Sequence, residues 1–263
     1  WSSDVCSSDL RHKPCFDDIV QAASGLASLV GAEQGQVAYV PALVADKTAA
    51  LALANAVLAA LFHRERTGQG QYVEVPMFEA MVEFNLAEHM GGMAFEPGLG
   101  PAGYGRIVKG GRRPLPTADG HVAVLPYSPA HWLSLFQAIG RDDIIAQHDF
   151  SDRHKLNAVV RTLYDELHRE GPKRTTQAWM ALCERLDLPA TPVYGLDELP
   201  AHPHLQAVGL FESMAHPTQG DIRYVRPAVR FGATPASVRL PPPVLGQDSR
   251  DILGELGYGQ EDI

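Results

Sequence analysis

Cysteine is scarce in this sequence, with three residues among 263. Cys6 lies in the first ten residues, and Cys15 and Cys183 stand far apart, without the CxxC or CxxH spacing typical of zinc ligands. The histidines add no HExxH spacing, and we expect the HPH stretch at 202–204 to be a surface turn. We therefore expect no disulfide framework, no metal site and a reducing, cytoplasmic location.

Positive charge is also in short supply. The chain has 22 Lys and Arg residues against 31 Asp and Glu residues, which gives a formal net charge of −9. The sequence contains no cluster of Lys and Arg residues. Proteins that bind nucleic acids or anionic membranes need such a cluster. The composition therefore argues against a nucleic-acid or membrane partner.

A long hydrophobic run is missing as well. The longest, TAALALANAVLAALF at Thr48–Phe62, is shorter than the roughly 20 residues of a membrane-spanning helix, and Asn55 interrupts it. We predict a core helix, buried inside the protein, rather than a membrane span.

The first ten residues, WSSDVCSSDL, lack the basic start and apolar centre of a targeting peptide. They resemble the translation of a common sequencing adapter, and an ordinary polar arm is the alternative. The adapter interpretation predicts that the native sequence starts at Arg11, within its gene.

The remaining pattern predicts an α/β protein. We expect a helix at Phe16–Leu29, a long helix from about Asp46 to Arg66 that ends before Gly68, a strand around Tyr72–Val75, and a helix at Phe78–Met90. A Gly/Pro-rich stretch at 91–105 separates these elements from a smaller α+β region with three helices, at about 129–140, 152–169 and 175–186. Short strands at 190–196 and 220–231, a proline-rich linker and a closing helix at 248–256 complete the chain.

Asp46 is the first candidate for chemistry, because it is a single carboxylate at the front of an alanine-rich helix. Aspartate is a favoured helix N-cap, so capping alone would explain it. The alternative is a catalytic role. At the start of a helix the dipole keeps a carboxylate ionised among apolar neighbours, and an ionised carboxylate is a usable nucleophile.

The segment GYGRIVKGGRR at 103–113 is the second candidate. Its backbone amides could meet an oxyanion, or the segment could be a plain linker. We expect Lys109, Arg112 and Arg113 in it to be solvated charges. TGQGQ at 67–71 lacks the Lys-Ser/Thr of a phosphate-binding loop, and Glu79 and Glu83 are expected on a solvated helix face.

Several stretches, in order, resemble the family III CoA-transferases, the CaiB/BaiF group that also contains α-methylacyl-CoA racemase. They are FDDIVQAASGL, the long helix followed by RTGQGQYVEV, TADGHVAVL, ATPVYGLDEL and PPPVLGQDSRDILGELGY. The resemblance covers nearly the whole chain after Leu10. It implies part of a Rossmann-like CoA-binding large domain at 11–95, a linker at 96–110, a small α+β domain at 111–225, and a return segment at 226–263 that packs on the large domain. It also implies an interlocked homodimer.

The same resemblance implies roles for individual residues. Asp46 matches the catalytic aspartate of the family, and Lys13, Phe16 and Asp17 match a segment that contacts CoA. The glycine-rich substrate loop of the family falls near Gly103, Gly105, Gly110 and Gly111. The front of the CoA-binding domain, with further CoA ligands, is expected to precede Arg11.

The implied reaction moves CoA from an acyl-CoA to a small carboxylic acid through an aspartyl anhydride and an aspartyl-CoA thioester. Two alternatives stay open. One is racemisation next to the thioester, with Asp46 as one member of an acid/base pair. The other is a non-catalytic fragment that lacks the CoA-binding front half.

Overall fold

The computed structural model describes residues 13–151 and 153–259. The interpretation of the first ten residues therefore lies outside the described part and stays a prediction. The chain divides into two compact units, residues 13–193 and residues 194–259. This division groups residues that pack together. It does not test the domain limits expected from the sequence, which stay predictions.

Four helices form the front of the first unit: α1 (Asp17–Ala23), α2 (Leu26–Gln34), α3 (Val44–Thr67) and α4 (Met77–His89). The single helix predicted at Phe16–Leu29 is in fact α1 and the start of α2. Gly25 separates them because its φ of +85° lies in the left-handed region, which glycine adopts without steric cost.

The long predicted helix is confirmed as α3, and α4 matches the helix predicted at Phe78–Met90. α3 ends as its sequence indicates, with Arg64 and Arg66 in the last turn. Gly68 follows in the left-handed conformation, and its amide donates to the Arg64 carbonyl at 2.8 Å.

The strand predicted around Tyr72–Val75 is wrong, because residues 69–76 carry no regular secondary structure. The Tyr72 side chain is 86% exposed. The β-forming residues are present, but a strand exists only when a neighbouring strand accepts and donates its backbone hydrogen bonds. No such neighbour lies beside this segment among the described residues.

The core that the four helices share is small. Val20 on α1, Ala45 on α3 and Met81 on α4 are completely buried. The prediction of a buried core helix at Thr48–Phe62 is wrong for this chain by itself, since Leu51, Leu58 and Phe62 are all more than 60% exposed. By length and composition alone α3 could cross a membrane, a property it shares with core helices of soluble proteins.

The Gly/Pro-rich stretch after α4 folds back on the end of that helix. It contains a 3-10 turn at Gly91–Ala94 and the short helix α5 (Gly105–Val108). The amide of Gly103 donates to the His89 carbonyl at 2.7 Å.

The rest of the first unit has a three-stranded antiparallel sheet and four helices. The sheet has the order β1 (Leu115–Pro116), β2 (His121–Val124), β3 (Ala190–Pro192), with Val122 opposite both Leu115 and Pro192. The helices are α6 (Pro129–Ala138), α7 (Asp142–Gln147), α8 (Arg153–Glu170) and α9 (Thr176–Arg185), and a 3-10 turn at Gly171–Lys173 joins the last two. The three predicted helices are confirmed as α6, α8 and α9, and the sequence analysis missed α7.

The second unit is a β-hairpin with short helices. It contains a 3-10 turn at Leu196–Ala201, α10 (Pro203–Ala207), β4 (Phe211–His216), β5 (Gly220–Val225) and α11 (Ser249–Glu255). The predicted strand at 220–231 is confirmed as far as Val225, and the closing helix is confirmed as α11. β4 was not predicted. The α/β class is confirmed, while the Rossmann-like character and the interlocked dimer stay predictions.

Candidate active site

Asp46 is the third residue of α3 and is exposed. The N-cap of this helix is Leu43, and no side-chain hydrogen bond from the cap residue closes the helix start. The capping explanation for Asp46 is therefore wrong, because a capping side chain belongs to the residue before the first helical one. Its carboxylate is left accessible in the first turn, where the helix dipole favours a negative charge.

Asp17, and not Asp46, supplies the side-chain hydrogen-bond acceptor at the start of α3. Its side chain is buried, and its Oδ2 accepts a hydrogen bond from the backbone amide of Asp46 at 3.0 Å. A carboxylate of α1 thus satisfies an otherwise unpaired amide at the start of α3. The backbone of Asp46 is held by a residue 29 positions earlier in the chain.

Gln21 holds both Asp17 and the segment that leads into α3. Its Nε2 donates to Asp17 Oδ1 at 2.6 Å and lies within 3.3 Å of the carbonyls of Val40 and Ala42. Its Oε1 accepts from the Val40 amide at 2.9 Å. Gln21 is completely buried, so breaking these bonds would leave buried polar groups without partners. One side chain therefore fixes both the capping carboxylate and the entry to α3.

The three predicted CoA-contacting residues have different surroundings. Lys13 is exposed, and Phe16, which precedes α1, is 77% exposed. Both side chains are available to a ligand. Asp17 is buried with both carboxylate oxygens bonded inside the protein, so a contact with CoA through this carboxylate would have to share those bonds.

The glycine-rich segment is tied to α4 by His89. This buried histidine accepts the Tyr104 amide on Nδ1 at 3.0 Å, and its Nε2 lies 3.3 Å from Glu88. Gly110 has no room for a side chain, since a Cβ there would lie 2.2 Å from the Arg106 carbonyl oxygen. Gly105 begins α5, and Gly111 packs against Arg161.

The structure brings together some of the predicted site residues and not others. Asp17 and Asp46 are joined directly, with Phe16 next to them in the chain. No hydrogen bond in the described part of the chain joins Gly103, Gly105, Gly110 or Gly111 to Asp46. In the same part, no three His, Cys, Asp or Glu side chains cluster in a way that could hold a metal ion.

Three residues that position the site were missed in the sequence. They are Gln21, His89 and Asn85, whose Nδ2 donates to the Ser24 carbonyl at 2.9 Å and ties α4 to the end of α1. Each is a polar residue that is buried on a helix. A buried amide or imidazole in such a place is a signal for a structural hydrogen bond, but its partner cannot be read from the sequence.

Asp46 is the residue that matches the catalytic aspartate in the family resemblance, whereas the buried clamp of Asp17 and Gln21 was not expected from the sequence. The profile of CoA-transferase family III matches residues 6–249. The chain belongs to this family.

Three relatives carry the names of CoA transferases. The chain is 26% identical to succinyl-CoA:glutarate CoA-transferase of Mus musculus, over 94% of this chain and 57% of that protein. It is 28% identical to a probable fatty acyl-CoA transferase of Mycobacterium tuberculosis, over 92% of this chain and 64% of that protein. It is 24% identical to formyl-CoA:oxalate CoA-transferase of Escherichia coli O157:H7, over 99% of this chain and 67% of that protein. The chain thus spans well under two thirds of the mouse relative's length and slightly under two thirds of the mycobacterial one's.

Solved structures agree with this assignment. The crystal structure of the M. tuberculosis protein in its orthorhombic form superposes with a TM-score of 0.72 at 25% identity, covering 90% of this chain and 63% of that one. A CaiB/BaiF family protein from Brucella suis superposes with a TM-score of 0.75 at 19% identity, over 95% of this chain and 65% of that one, which shows the shared fold.

Proposed function

We propose that the protein transfers CoA from an acyl-CoA thioester to a small carboxylic acid, with Asp46 as the covalent nucleophile. The observation that carries the proposal is the exposed Asp46 carboxylate on the first turn of α3, with its backbone fixed by buried Asp17. The names of the relatives support the substrate classes, since each pairs a CoA thioester or a fatty acyl-CoA with transferase activity.

The chemistry follows from what a carboxylate can do. Asp46 attacks the thioester carbonyl, the C–S bond breaks, and a mixed anhydride and a CoA thiolate result. The thiolate attacks the aspartyl carbonyl of the anhydride, which gives an aspartyl-CoA thioester and releases the donor as a carboxylate. An acceptor carboxylate then attacks this thioester, and the same steps in reverse give the new acyl-CoA and restore Asp46.

Positioning matters in this scheme because the attacking oxygen must reach a carbonyl carbon along a narrow path. A misplacement of about 1 Å at such a site can cost about 100-fold in rate. The Asp17–Gln21 pair meets this need, since it fixes the Asp46 amide and the residues just before α3. Asp17 and Gln21 are thus positioning residues in the proposal, and Asp46 is the catalytic residue.

The anhydride has to be kept from water, because it would hydrolyse. Asp46 is exposed in this chain, and the apolar side of α3 next to it is uncovered. We include in the proposal that a second copy of the protein covers this surface, as the family resemblance implies, and that the protein acts in the cytoplasm. Phe16 and Lys13, both exposed beside α1, are the proposed CoA contacts.

The test replaces Asp46 by Asn in the complete protein. Asn keeps the size of the side chain but cannot form an anhydride. We expect CoA binding and thermal stability to stay near those of the wild type and turnover to fall by several orders of magnitude. Hydroxylamine added during turnover should convert Asp46 to a hydroxamate, visible by peptide mass spectrometry, in the wild type and not in the variant.

Asp18→Asn is the matched control, because Asp18 is an exposed carboxylate on α1 with the same charge. It should keep full turnover. Full activity of Asp46→Asn would refute the proposal. Loss of activity in Asp46→Asn would indicate racemisation instead if the wild type formed no hydroxamate and took up solvent deuterium at the carbon next to the thioester.

A further inference from the structure

Two arginines from separate elements of the first unit meet at the ring of one tyrosine. Arg106 lies on α5, Arg153 is the first residue of α8, and Tyr127 stands in the loop between β2 and α6. The guanidinium carbons of the two arginines lie 5.1 Å and 5.4 Å from the centre of the Tyr127 ring, which is cation–π distance. These three residues are called the Arg106–Arg153 cluster below.

The backbone of Tyr127 is held by the first turn of α6. The Tyr127 amide donates to His131 Nδ1 at 3.2 Å, and the side chain of Ser128, the N-cap of α6, accepts from the His131 amide at 3.2 Å. His131 therefore binds the loop through both its ring and its backbone. The Tyr127 ring remains 52% exposed, so a ligand in solution can approach it.

Both arginines are carried by backbone that is itself tied down. The segment with Arg106 is joined to α4, because the Tyr104 amide donates to the buried His89 ring at 3.0 Å. Arg153 begins a helix whose Leu156 is buried in the core of the first unit. The two guanidiniums are therefore brought to the same place by the fold, although Arg153 is exposed and Arg106 half-buried.

Neither guanidinium has a carboxylate partner. Among residues 13–151 and 153–259, no Asp or Glu forms an ion pair with Arg106 or Arg153, whereas Arg141 binds the carboxylates of Asp143, Glu166 and Glu170. One phenol oxygen accepts far fewer hydrogen bonds than two guanidiniums can donate. The cluster therefore keeps N–H donors for a ligand.

The two positive charges act on the same phenol. A hydrogen bond and the charge of Arg106, followed by those of Arg153, lower the pKa of Tyr127. Two cations held this close repel each other, and a bound anion would remove that repulsion. The cluster is also a local excess of positive charge in a chain with a formal net charge of −9.

We propose that the Arg106–Arg153 cluster binds a phosphate monoester, with both guanidiniums and the Tyr127 hydroxyl donating to its oxygens. A phosphate dianion carries two negative charges, which balance the two arginines, and its oxygens point in several directions, so that two elements can reach it. A monocarboxylate would balance only one of the two charges. The cluster does not include Asp46, so the site stands or falls separately from the proposed transferase mechanism.

The probe is inorganic phosphate, compared with acetate, in calorimetry at low salt and about pH 8, where phosphate is mainly a dianion and histidines are neutral. We expect saturable binding of phosphate and at least tenfold weaker binding of acetate, because charge-assisted hydrogen bonds to both arginines are needed. Arg106→Gln and Arg153→Gln should each weaken phosphate binding about tenfold or more, by the same argument.

Arg113→Gln is the matched control, because it removes the same charge from an exposed arginine that already pairs with Asp165 at 3.0 Å. It should bind phosphate within about twofold of the wild type, as expected for an exposed charge outside the site. The expectation of solvated charges in this segment is wrong for Arg112, which is half-buried near Tyr164 and is therefore not used as a control.

Tyr127 reports binding directly. Phosphate beside the arginines should raise the pKa of Tyr127, since its negative charge opposes theirs, and the ultraviolet absorbance of the phenolate follows this change during a pH titration. Tyr127→Phe keeps the ring and removes the ionising hydroxyl, so the phosphate-dependent part of the titration should disappear in this variant.

The phosphate group has two sources, a small free ester or the 3′-phosphate of CoA, the substrate under the proposed function. Competition distinguishes them. If the source is CoA, CoA displaces inorganic phosphate from the cluster and 3′-dephospho-CoA does not; if the source is a free ester, neither does. No saturable phosphate binding, or equal losses in Arg106→Gln, Arg153→Gln and Arg113→Gln, would overturn the proposal whatever the result for Asp46→Asn.

Discussion

Two regions of the first unit differ in how much of their apolar surface they bury. Between Leu115 and Leu188, fifteen buried apolar side chains form one core around Trp132, Phe136 and Trp179. The four front helices, which carry Asp46, share a core of three: Val20, Ala45 and Met81. The region with the larger core buries its large apolar side chains within itself, whereas the region with the candidate active site leaves most of α3 uncovered.

The difference lies in how apolar residues are distributed along the helices. On α8 they recur on one side, so that Leu156, Leu163 and Leu167 are buried while Arg153, Lys155 and Arg161 are exposed. On α3 alanine and larger apolar residues occupy all sides, and α1 and α4 cover only part of them. A helix that is apolar all round belongs inside a larger body, and this favours the proposal that α3 is covered by a second copy.

The largest effect on stability is expected when one side chain is removed from the larger core. Leu163→Ala should lower the free energy of unfolding by about 2–5 kcal/mol, because Leu163 is completely buried and its loss leaves a cavity. Leu51→Ala on α3, where the side chain is 68% exposed, should change it by about 0.5 kcal/mol or less in the dissociated chain. Chemical denaturation at low protein concentration measures both. Equal effects would show that the two regions do not differ as described.

The next largest effect is expected from the buried clamp behind Asp46. Asp17→Ala should lower kcat about 100-fold, because the start of α3 loses the partner of the Asp46 amide. The kcat of Asp17→Asn should lie between those of Asp17→Ala and the wild type, since the amide oxygen of Asn can still accept the hydrogen bond from the Asp46 amide. Steady-state kinetics should show the loss in kcat more than in KM.

Asp18→Ala serves as the control for Asp17, as the neighbouring carboxylate on α1 is exposed. If Asp17→Ala changed KM for the acyl-CoA and left kcat intact, Asp17 would be a CoA contact, as the resemblance implied, rather than a positioning residue.

A smaller effect is expected at the uncovered side of α3. Leu58→Asp should weaken self-association by about 30-fold, which corresponds to about 2 kcal/mol, because a charge enters an apolar interface. Leu58 is 64% exposed, so the change should leave the fold of the single chain intact. Analytical ultracentrifugation over a concentration series measures it.

Leu245→Asp is the control for Leu58, because Leu245 is fully exposed in the second unit. A wild-type protein that is monomeric at high micromolar concentration would contradict the proposed dimer. Unchanged association of Leu58→Asp would show that α3 is not part of the contact.

The smallest effect concerns pH and the region with the larger core. Burial raises the pKa of Glu170, but the bonds with Lys173 and Arg141 outweigh it and leave that pKa below its ordinary value. A lowered pKa in the folded state gives stabilisation that is complete above the ordinary value of about 4.3 and is lost as the pH falls through the folded value. Glu170→Gln should thus cost about 1 kcal/mol at pH 7 and progressively less in acid.

Urea unfolding of both proteins across this pH range tests the expectation. Glu184→Gln, an exposed carboxylate on α9, should show no comparable pH dependence. A cost for Glu170→Gln that stays constant down to strongly acidic pH would mean that packing, and not the ion pairs, explains it.

Local signals in the sequence predicted most of the helices, and of the strands they predicted β3 and β5 but not all. α3, α4, α6, α8 and α9 were predicted because helix-forming composition and end signals are local properties of the sequence. The strand around Tyr72 was wrong and β4 was missed, since a strand depends on a partner that lies elsewhere in the chain. The break between α1 and α2 turned on one torsion angle at Gly25, which the sequence does not specify.

The sequence by itself determined the family, the long helix α3 and the carboxylate in its first turn, because these depend on residue order and local patterns. Only the tertiary structure decided which side chain holds that helix start. A hydrogen bond between Asp17 and the Asp46 amide joins residues 29 positions apart, and the sequence analysis considered only Asp46 itself as the residue that caps this helix.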